Sequence, residues 1–239
     1  MLKATQLSVG SRLKPLDLQV GAGECVAVLG PNGAGKSTLL AALAGLLPFR
    51  GHVAWQGEDL ARIPFLQRGR RLAWLGQESW AEFDFSVRDV VAQGRYAWGE
   101  DGRGVEEAMA LLDLTHLAQR PVTQLSGGER RRVFLARALT TAAPIQLWDE
   151  PASSLDVRHG LEVYALAQRK AAQGSCLLVS LHDIRAAYRF SRVLVLEEGR
   201  IQGDGPPHEV LSADLIRRVF RVEATFTTSL VPELPVIRS

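Results

Sequence analysis

The sequence predicts an α/β fold with a mainly parallel sheet, and three observations lead to this prediction. Short apolar runs, such as Cys25–Leu29, Ile145–Trp148 and Cys176–Ser180, are typical of strands in a buried parallel sheet. Stretches with apolar residues at helical spacing lie between such runs. A glycine-rich segment at residues 30–38 joins the first run to a helical pattern, which predicts a strand, a loop and a helix in succession.

The glycine-rich segment, GPNGAGKST, fits the phosphate-binding pattern G-x-x-x-x-G-K-[ST]. Gly33 and Gly35 allow backbone N–H groups to turn inward around a phosphate, and the start of the following helix adds a positive dipole end. Lys36 is expected to reach the β- and γ-phosphates, and Ser37 to ligate Mg²⁺. The alternative is a fortuitous glycine-rich turn. The predicted phosphate contacts are Gly30, Pro31, Asn32, Gly33, Ala34, Gly35, Lys36, Ser37 and Thr38.

The remaining elements follow from periodicity and turn residues. Alternating apolar residues before residue 21 predict a small antiparallel region that leads into the parallel sheet. Gly45 is expected to end the helix after the phosphate loop, and Gly174 to end a helix that begins near residue 157. Further predicted elements are a strand, turn and return at 51–60, a strand at 71–75, a hairpin at 193–201, a short helix near 211–220 and an irregular tail.

Residues 86–140 are predicted to be mainly helical, with a break at 99–104 where the sequence is GEDGRG. We therefore expect one domain over residues 1–239. Its α/β core would occupy about 1–84 and 141–239, and an inserted helical subdomain about 85–140.

Composition restricts the classes of function. The hydrophobic content of 46% and charged content of 23% are typical of a globular protein, and a net charge of +2 gives no electrostatic argument for a nucleic-acid partner. No apolar run reaches the roughly 18 residues that a membrane span needs, so we expect the chain to stay in the cytoplasm. Cys25 and Cys176 lie in apolar runs and are expected to be buried thiols.

Polar residues stand directly after three of the predicted strands: Gln77, Asp149, Glu150 and His182. Ligands bind just outside the carboxyl ends of strands in open parallel sheets, which makes the carboxylate pair a candidate site. A lone glutamine or histidine at such a place is more often a loop or structural residue. Three adjacent arginines at residues 130–132 are predicted to form a solvated or salt-bridged helix face rather than a nucleic-acid patch.

Two further motifs complete the pattern. Residues 125–129 have the sequence LSGGE, and residues 154–156 have the sequence SLD. With the phosphate loop, the glutamine, the carboxylate pair and the histidine, they occur in the order seen in the nucleotide-binding subunits of ABC transporters. The chain resembles that family over essentially its whole length. The resemblance implies a P-loop NTPase (RecA-like) core with an N-terminal antiparallel β region and an inserted α-helical subdomain.

The resemblance also implies roles for individual residues. Asp149 would hold the Mg²⁺ shell together with Ser37 and Gln77, and Glu150 would orient the attacking water. Gln77 would also sense the membrane partner, and His182 would contact the γ-phosphate. In this family the signature residues face the nucleotide of the other subunit, which implies a homodimer that closes on two ATP molecules. The residues implied at that interface are Ser126, Gly127, Gly128, Glu129 and Asp156.

The sequence departs from the family pattern in its first and its seventh predicted strands. The family commonly stacks an aromatic side chain on the adenine, and the residue that aligns with it here is Val9. This leaves the base preference open. Trp148 stands where the family usually has an aliphatic residue, and Gln146 interrupts the same strand.

Residues 86–95, SVRDVVAQGR, resemble the ATPases of importers for ferric siderophores, haem and vitamin B12. That resemblance implies transmembrane permease subunits, an external substrate-binding protein and a place on the cytoplasmic face of the membrane. Two alternatives are the ATPase of a multi-subunit exporter and a soluble ABC-type ATPase that acts on nucleic acid or ribosomes. The aromatic residues near this segment form either a permease groove or ordinary core: Trp80, Phe83, Phe85, Tyr96 and Trp98.

Overall fold

The computed structural model describes residues 1–77 and 84–224, which form two sheets with helices packed around them. The strands are β1 (Leu2–Val9), β2 (Leu13–Val20), β3 (Cys25–Leu29), β4 (Arg50–Trp55), β5 (Glu58–Asp59), β6 (Leu72–Leu75), β7 (Ile145–Trp148), β8 (Cys176–Ser180), β9 (Arg192–Glu197) and β10 (Arg200–Gly205). The helices are α1 (Lys36–Leu43), α2 (Phe65–Arg71), α3 (Val87–Ala92), α4 (Val105–Leu111), α5 (Gly127–Thr140), α6 (Val157–Ala172), α7 (Ile184–Ala187), α8 (Pro207–Val210) and α9 (Ala213–Phe220).

The larger sheet has the order β10-β9-β3-β8-β7-β6, and every neighbouring pair in it is parallel except β9 with β10. Its central strand β3 is buried on both faces, because alternate residues enter different cores. Val26 and Val28 face the core that contains α1, whereas Ala27 and Leu29 face the core that contains α5. The prediction of a mainly parallel α/β sheet is confirmed.

The smaller sheet, with the order β2-β1-β4-β5, is antiparallel and packs against α1. Leu39, Leu40 and Leu43 of α1 are buried in one cluster with residues of both sheets. The N-terminal antiparallel region therefore encloses the helix that follows the phosphate loop. Gly45 lies just beyond this helix with φ +71°, as a helix-ending glycine does.

The region predicted to be helical at 86–140 contains α3, α4 and α5, which pack on one another. Residues 93–98 form a 3-10 helix, and Gly99, with φ +83°, ends it at the predicted break. The sequence pattern did not indicate α2, since this helix exposes most of its length and buries none of its side chains. The boundaries of a helical subdomain at about 85 and 140 stay a prediction.

Gln146 and Trp148, the two unusual residues of β7, are hydrogen-bonded to each other in the core. The Trp148 indole is fully buried, and its Nε1 donates to Oε1 of Gln146 at 3.1 Å. Gln146 in turn donates through Nε2 to the carbonyl of Ala143 at 2.8 Å. The indole N–H and the Gln146 amide thus both have hydrogen-bond partners, as buried polar groups require.

Both cysteines are buried as predicted, and burial raises the pKa of Cys25 to about 12 and that of Cys176 to about 11. None of the helices at residues 1–77 and 84–224 is long and apolar enough to cross a bilayer. The predicted irregular tail lies mostly outside the described residues, as do Trp80 and Phe83.

Candidate functional site

A cavity of about 470 Å³ lies at the carboxyl end of β3, where the chain passes into α1. This volume lies within the range of small-molecule sites. The phosphate loop forms its floor, and Gln77 and Glu150 reach it from the ends of neighbouring parallel strands. The lining residues are Arg12, Asn32, Gly33, Ala34, Gly35, Lys36, Ser37, Thr38, Gln77 and Glu150.

The loop backbone takes the conformation that the glycine pattern predicts. Gly33 and Gly35 have φ +79° and +105°, a region in which an L side chain is strained. Gly35 also packs closely, because a Cβ there would lie 3.0 Å from the carbonyl oxygen of Arg12. Helix α1 begins immediately after Gly35, so its free N–H groups and its dipole face the cavity.

Lys36 lies within this loop and is only 6% exposed. Its Nζ donates to the carbonyl of Gly30 at 2.8 Å and to that of Pro31 at 3.3 Å. Burial lowers the pKa of the ammonium group, and the nearby carboxylates of Glu150 and Asp149 act against that shift. The loop thus holds a preoriented cation at the place where an anionic ligand would lie.

Asp149 is the most enclosed acid of the site, with 1% exposure at the end of β7. The Ser180 hydroxyl, at the end of the adjacent strand β8, donates to Oδ1 of Asp149. The same Ser180 oxygen accepts the backbone N–H of Glu150 at 2.8 Å. Sequence reasoning missed Ser180, although its place at a strand end beside the acidic pair could have indicated it.

Glu150 follows in a strained backbone conformation, with φ +48°. Such values are uncommon for residues other than glycine and concentrate at functional sites. Gln77 donates through Nε2 to Oε2 of Glu150 at 3.3 Å. The structure therefore brings together Gln77, Glu150 and the phosphate loop, which are far apart in the sequence.

His182 does not line the cavity, and neither do Gly30, Pro31 and Asp149 among the other predicted site residues. His182 is exposed just beyond β8, and among the residues that the structure describes its ring has no hydrogen-bond or ion-pair partner. Its contact with a γ-phosphate stays a prediction.

The oxygen donors at the cavity suit a hard divalent cation. The described residues contain no group of three or more His, Cys, Asp or Glu side chains that could hold a metal by themselves. Mg²⁺, however, usually binds through one or two carboxylates together with substrate phosphates and water. Ser37 and Gln77 line the cavity with a hydroxyl and an amide, and the buried Asp149, beside the lining residue Glu150, supplies a carboxylate. This donor set fits Mg²⁺ held partly by a phosphate ligand.

The signature residues form the N-terminus of α5 and do not line the cavity. Ser126 caps the helix, since its Oγ accepts the backbone N–H of Glu129 at 3.2 Å. Glu129 returns the contact by accepting the Ser126 N–H at 2.8 Å, and hydrogen bonds from Ser126 lower the pKa of that carboxyl. This capping box accounts for the presence of a glutamate at position 129. Gly127 and Gly128, in the first turn of the helix, lie next to Ser154.

Asp156 caps the next helix, α6. Its Oδ1 accepts the backbone N–H of His159 at 2.9 Å, and its Oδ2 lies 2.9 Å from Nδ1 of the same histidine. These contacts lower the pKa of the carboxyl. The side chain is exposed, so capping and an interface role are compatible, and the interface role stays a prediction.

The prediction of a solvated or salt-bridged arginine face at 130–132 is wrong for Arg131, whereas Arg132 is buried but does form an ion pair. Arg131 is 4% exposed and Arg132 is 9% exposed. Arg132 donates to the carbonyl of Leu112 at 2.9 Å and also forms a 3.7 Å ion pair with the exposed Asp113. The guanidinium groups satisfy buried main-chain carbonyls, a need that residue type alone does not reveal.

Arg131 ties the signature helix to the site. Its guanidinium donates to the carbonyls of Gly76, at 2.5 Å, and Glu150, at 2.9 Å, and also to that of Asp149. Burial lowers its pKa to about 10, and Asp149 and Glu150 act against that shift. The ends of β6 and β7 are therefore held by one side chain from α5.

For the ATP hydrolysis that the family resemblance implies, we expect Arg131→Met to lower kcat with little change in KM. The substitution keeps an unbranched apolar chain but leaves several buried carbonyls without a donor, which should also lower the free energy of unfolding by about 2–4 kcal/mol. Arg130→Met on the same helix is the matched control. Within the described part of the chain, Arg130 donates to two carbonyls that precede the helix, those of Thr123 and, at 3.2 Å, Leu125. Steady-state kinetics and urea unfolding measure the two effects, and equal kinetics for both variants would contradict the expectation.

Comparison with known proteins agrees with this geometry. The sequence model described as ABC transporter matches residues 13–153. The chain is 46% identical over 217 residues to the hemin import ATP-binding protein HmuV of Nocardia farcinica, covering 87% of this chain and 75% of that protein. It is 41% identical over 207 residues to the cobalamin import ATP-binding protein BtuD of Halobacterium salinarum, covering 83% of this chain and 52% of that protein.

A solved structure gives the same result for the fold. A chain from an inward-facing ABC transporter, assigned to the metal-chelate type, superposes with a TM-score of 0.79 at 26% identity. The superposition covers 93% of this chain and 89% of the other. The α/β architecture is thus a known one.

Proposed function

This chain belongs to the ABC transporter family, and we propose that it is the ATP-hydrolysing subunit of a membrane importer for an iron chelate, such as a siderophore or haem, or for cobalamin. The main support for the proposal is that Gln77, Glu150 and the phosphate loop line the same cavity. The named functions of the hemin and cobalamin relatives support the substrate class.

In this proposal the phosphate loop binds the triphosphate through its inward N–H groups, the α1 dipole and Lys36. Glu150 orients the water that attacks the γ-phosphate and accepts its proton, with Gln77 beside it. To catalyse phosphoryl transfer, a protein mainly has to position the nucleophile and neutralise charge on the phosphates, and this set of residues supplies both functions. Mg²⁺, held by Ser37, Gln77 and Asp149, would neutralise charge on the phosphates. His182 would add a contact to the γ-phosphate.

We further propose that two copies of the chain form the active unit. The signature segment at 126–129 starts a helix whose N-terminal N–H groups suit a phosphate, yet it does not line the cavity of its own chain. A second copy would place that segment over the nucleotide. Asp156 would lie at the same interface.

The surface formed by α2 and the 3-10 helix at residues 93–98 is proposed to contact the permease. The two segments pack together, since a Cβ on Gly69 would lie 2.9 Å from that of Ala97. Phe65 is 85% exposed and Tyr96 is 66% exposed. Exposed aromatic side chains of this size are typical of interface anchors.

Trp98 differs from these two residues because it is held within the chain. Its Nε1 donates to the carbonyl of Thr141 at 2.9 Å, and Arg70 and Arg95 lie 5.1 and 5.0 Å from its ring centroid. Trp98 therefore serves to fix this surface in place. Phe85, also partly exposed, is the other described aromatic of the predicted groove.

Purification of the tagged chain from detergent-solubilised membranes of its source cell tests the proposal. We expect a many-span permease to co-purify, and the type of permease to indicate an importer that receives cargo from an external substrate-binding protein. The Phe65→Ala/Tyr96→Ala variant should lose the permease while it keeps ATP binding. Met109→Ala, a buried change elsewhere, is a control for nonspecific destabilisation.

Recovery of an exporter-type permease would contradict the direction of transport. Recovery of ribosomal or DNA-associated proteins without a membrane protein would overturn the transport function and leave the ATPase chemistry standing.

A further inference from the structure

Arg12 is a cationic residue of the cavity that the proposed chemistry does not use. It lies in the tight turn between β1 and β2, where its N–H donates to the carbonyl of Val9 at 3.0 Å. Its side chain is exposed and lines the cavity. At residues 1–77 and 84–224 its guanidinium has neither a hydrogen-bond nor an ion-pair partner, whereas Lys36, the other cation of the lining, bonds two loop carbonyls.

The backbone of Arg12 is held firmly against the phosphate loop. Lys14 donates its N–H to the carbonyl of Gly199 at 2.9 Å, and the Gly199 N–H donates to the carbonyl of Ala34 at 3.0 Å. A Cβ on Gly199 would lie 2.5 Å from the Arg12 carbonyl oxygen, so this contact requires glycine. Backbone contacts thus join the β1–β2 turn, the β9–β10 turn and the loop, whereas the Arg12 guanidinium makes no hydrogen bond or ion pair within the described residues.

The sheet order fixes which part of a nucleotide meets Arg12. The phosphate loop follows β3, which lies between β9 on one side and β8 on the other. Glu150 and Gln77 approach from β7 and β6, on the β8 side, whereas Arg12 rests on the β9–β10 turn. In the proposed function the reacting phosphate lies beside Glu150, so the opposite end of the nucleotide would extend toward Arg12.

We propose that Arg12 binds the base of the nucleotide, with its planar guanidinium packed on the face of the purine. A guanidinium stacks on aromatic surfaces, and this contact needs no aromatic residue at position 9. Val9 is part of β1 and does not line the cavity. This inference rests on the proposed function, since it assigns a contact within the same nucleotide site.

Paired ligands separate a base contact from a phosphate contact. ADP carries the base and is not hydrolysed, and inorganic tripolyphosphate carries the phosphates alone. We expect Arg12→Ala to weaken ADP binding about threefold to thirtyfold in calorimetry, while tripolyphosphate binding changes less than about twofold. Arg12→Tyr should restore ADP binding, because a ring supplies a stacking face without charge. Arg200→Ala, an exposed arginine at the start of β10, is the matched control.

Equal losses for ADP and tripolyphosphate in Arg12→Ala would overturn the base contact and show a phosphate contact instead. Unchanged ADP binding in Arg12→Ala would also overturn it. If the unaltered chain bound neither ADP nor ATP, the proposed function itself would fail. That result differs from the other two, in which the unaltered chain binds nucleotide normally.

Discussion

Glu150→Gln is expected to reduce ATP hydrolysis by at least about a hundredfold while leaving ATP affinity nearly unchanged. The amide keeps the size of the carboxylate and its place beside Gln77, but it cannot accept a proton from the attacking water. In the proposed function ATP binds through the loop and Lys36, neither of which is altered. Steady-state phosphate release and equilibrium binding of ATP measure the two quantities separately.

The same variant should accumulate a dimer in the presence of ATP. If two copies close on two nucleotides and hydrolysis opens them, blocking hydrolysis retains the closed state. Sedimentation with and without ATP measures this. Glu107→Gln, on the exposed face of α4, is the matched control and should hydrolyse ATP normally. Normal turnover in Glu150→Gln would refute the water-positioning role, and a monomer that binds ATP would refute the dimer.

Lys36→Ala is expected to weaken ATP binding itself, by about tenfold to a hundredfold. In the proposed function the ammonium group is a charged donor to phosphate, and such bonds contribute roughly 1.5–3 kcal/mol. It is also held in place beforehand by the carbonyls of Gly30 and Pro31, so little ordering is needed when a phosphate binds. Equilibrium binding of ATP measures the loss.

Two further variants separate charge from packing in that result. Lys36→Met keeps most of the buried stem and removes only the ammonium group, so it should lose as much affinity as Lys36→Ala with a smaller change in stability. Lys3→Ala, an exposed lysine of β1, should bind ATP as the unaltered chain does. Retained affinity in both Lys36 variants would show that the loop binds phosphate through its backbone alone.

Sequence reasoning predicted the conformation of the glycine-rich loop well because its determinants are local. The loop needs glycines where φ is positive, a lysine and a hydroxyl at fixed spacing, and a strand and helix on either side, all within residues 25–43. The strand pattern likewise follows from local burial. The acid pair was recognised because it ends a buried strand in the motif order of a known family, and family comparison confirms that resemblance.

The tertiary structure decided the contacts between segments that are distant in the chain. The burial of Arg131 depends on where α5 meets the ends of β6 and β7, so its charge alone suggested a solvated face. Ser180 contacts the acid pair because β8 pairs with β7. Gln146 is needed in the core because its side chain accepts the hydrogen bond of the buried Trp148 indole. Arg12 reaches the cavity because Gly199 admits its backbone at close range. Residue types and spacing determined the chemistry of the loop. The packing of strands and turns determined which other side chains share its cavity, because those side chains come from different strands and turns and meet only through contacts across the sheet.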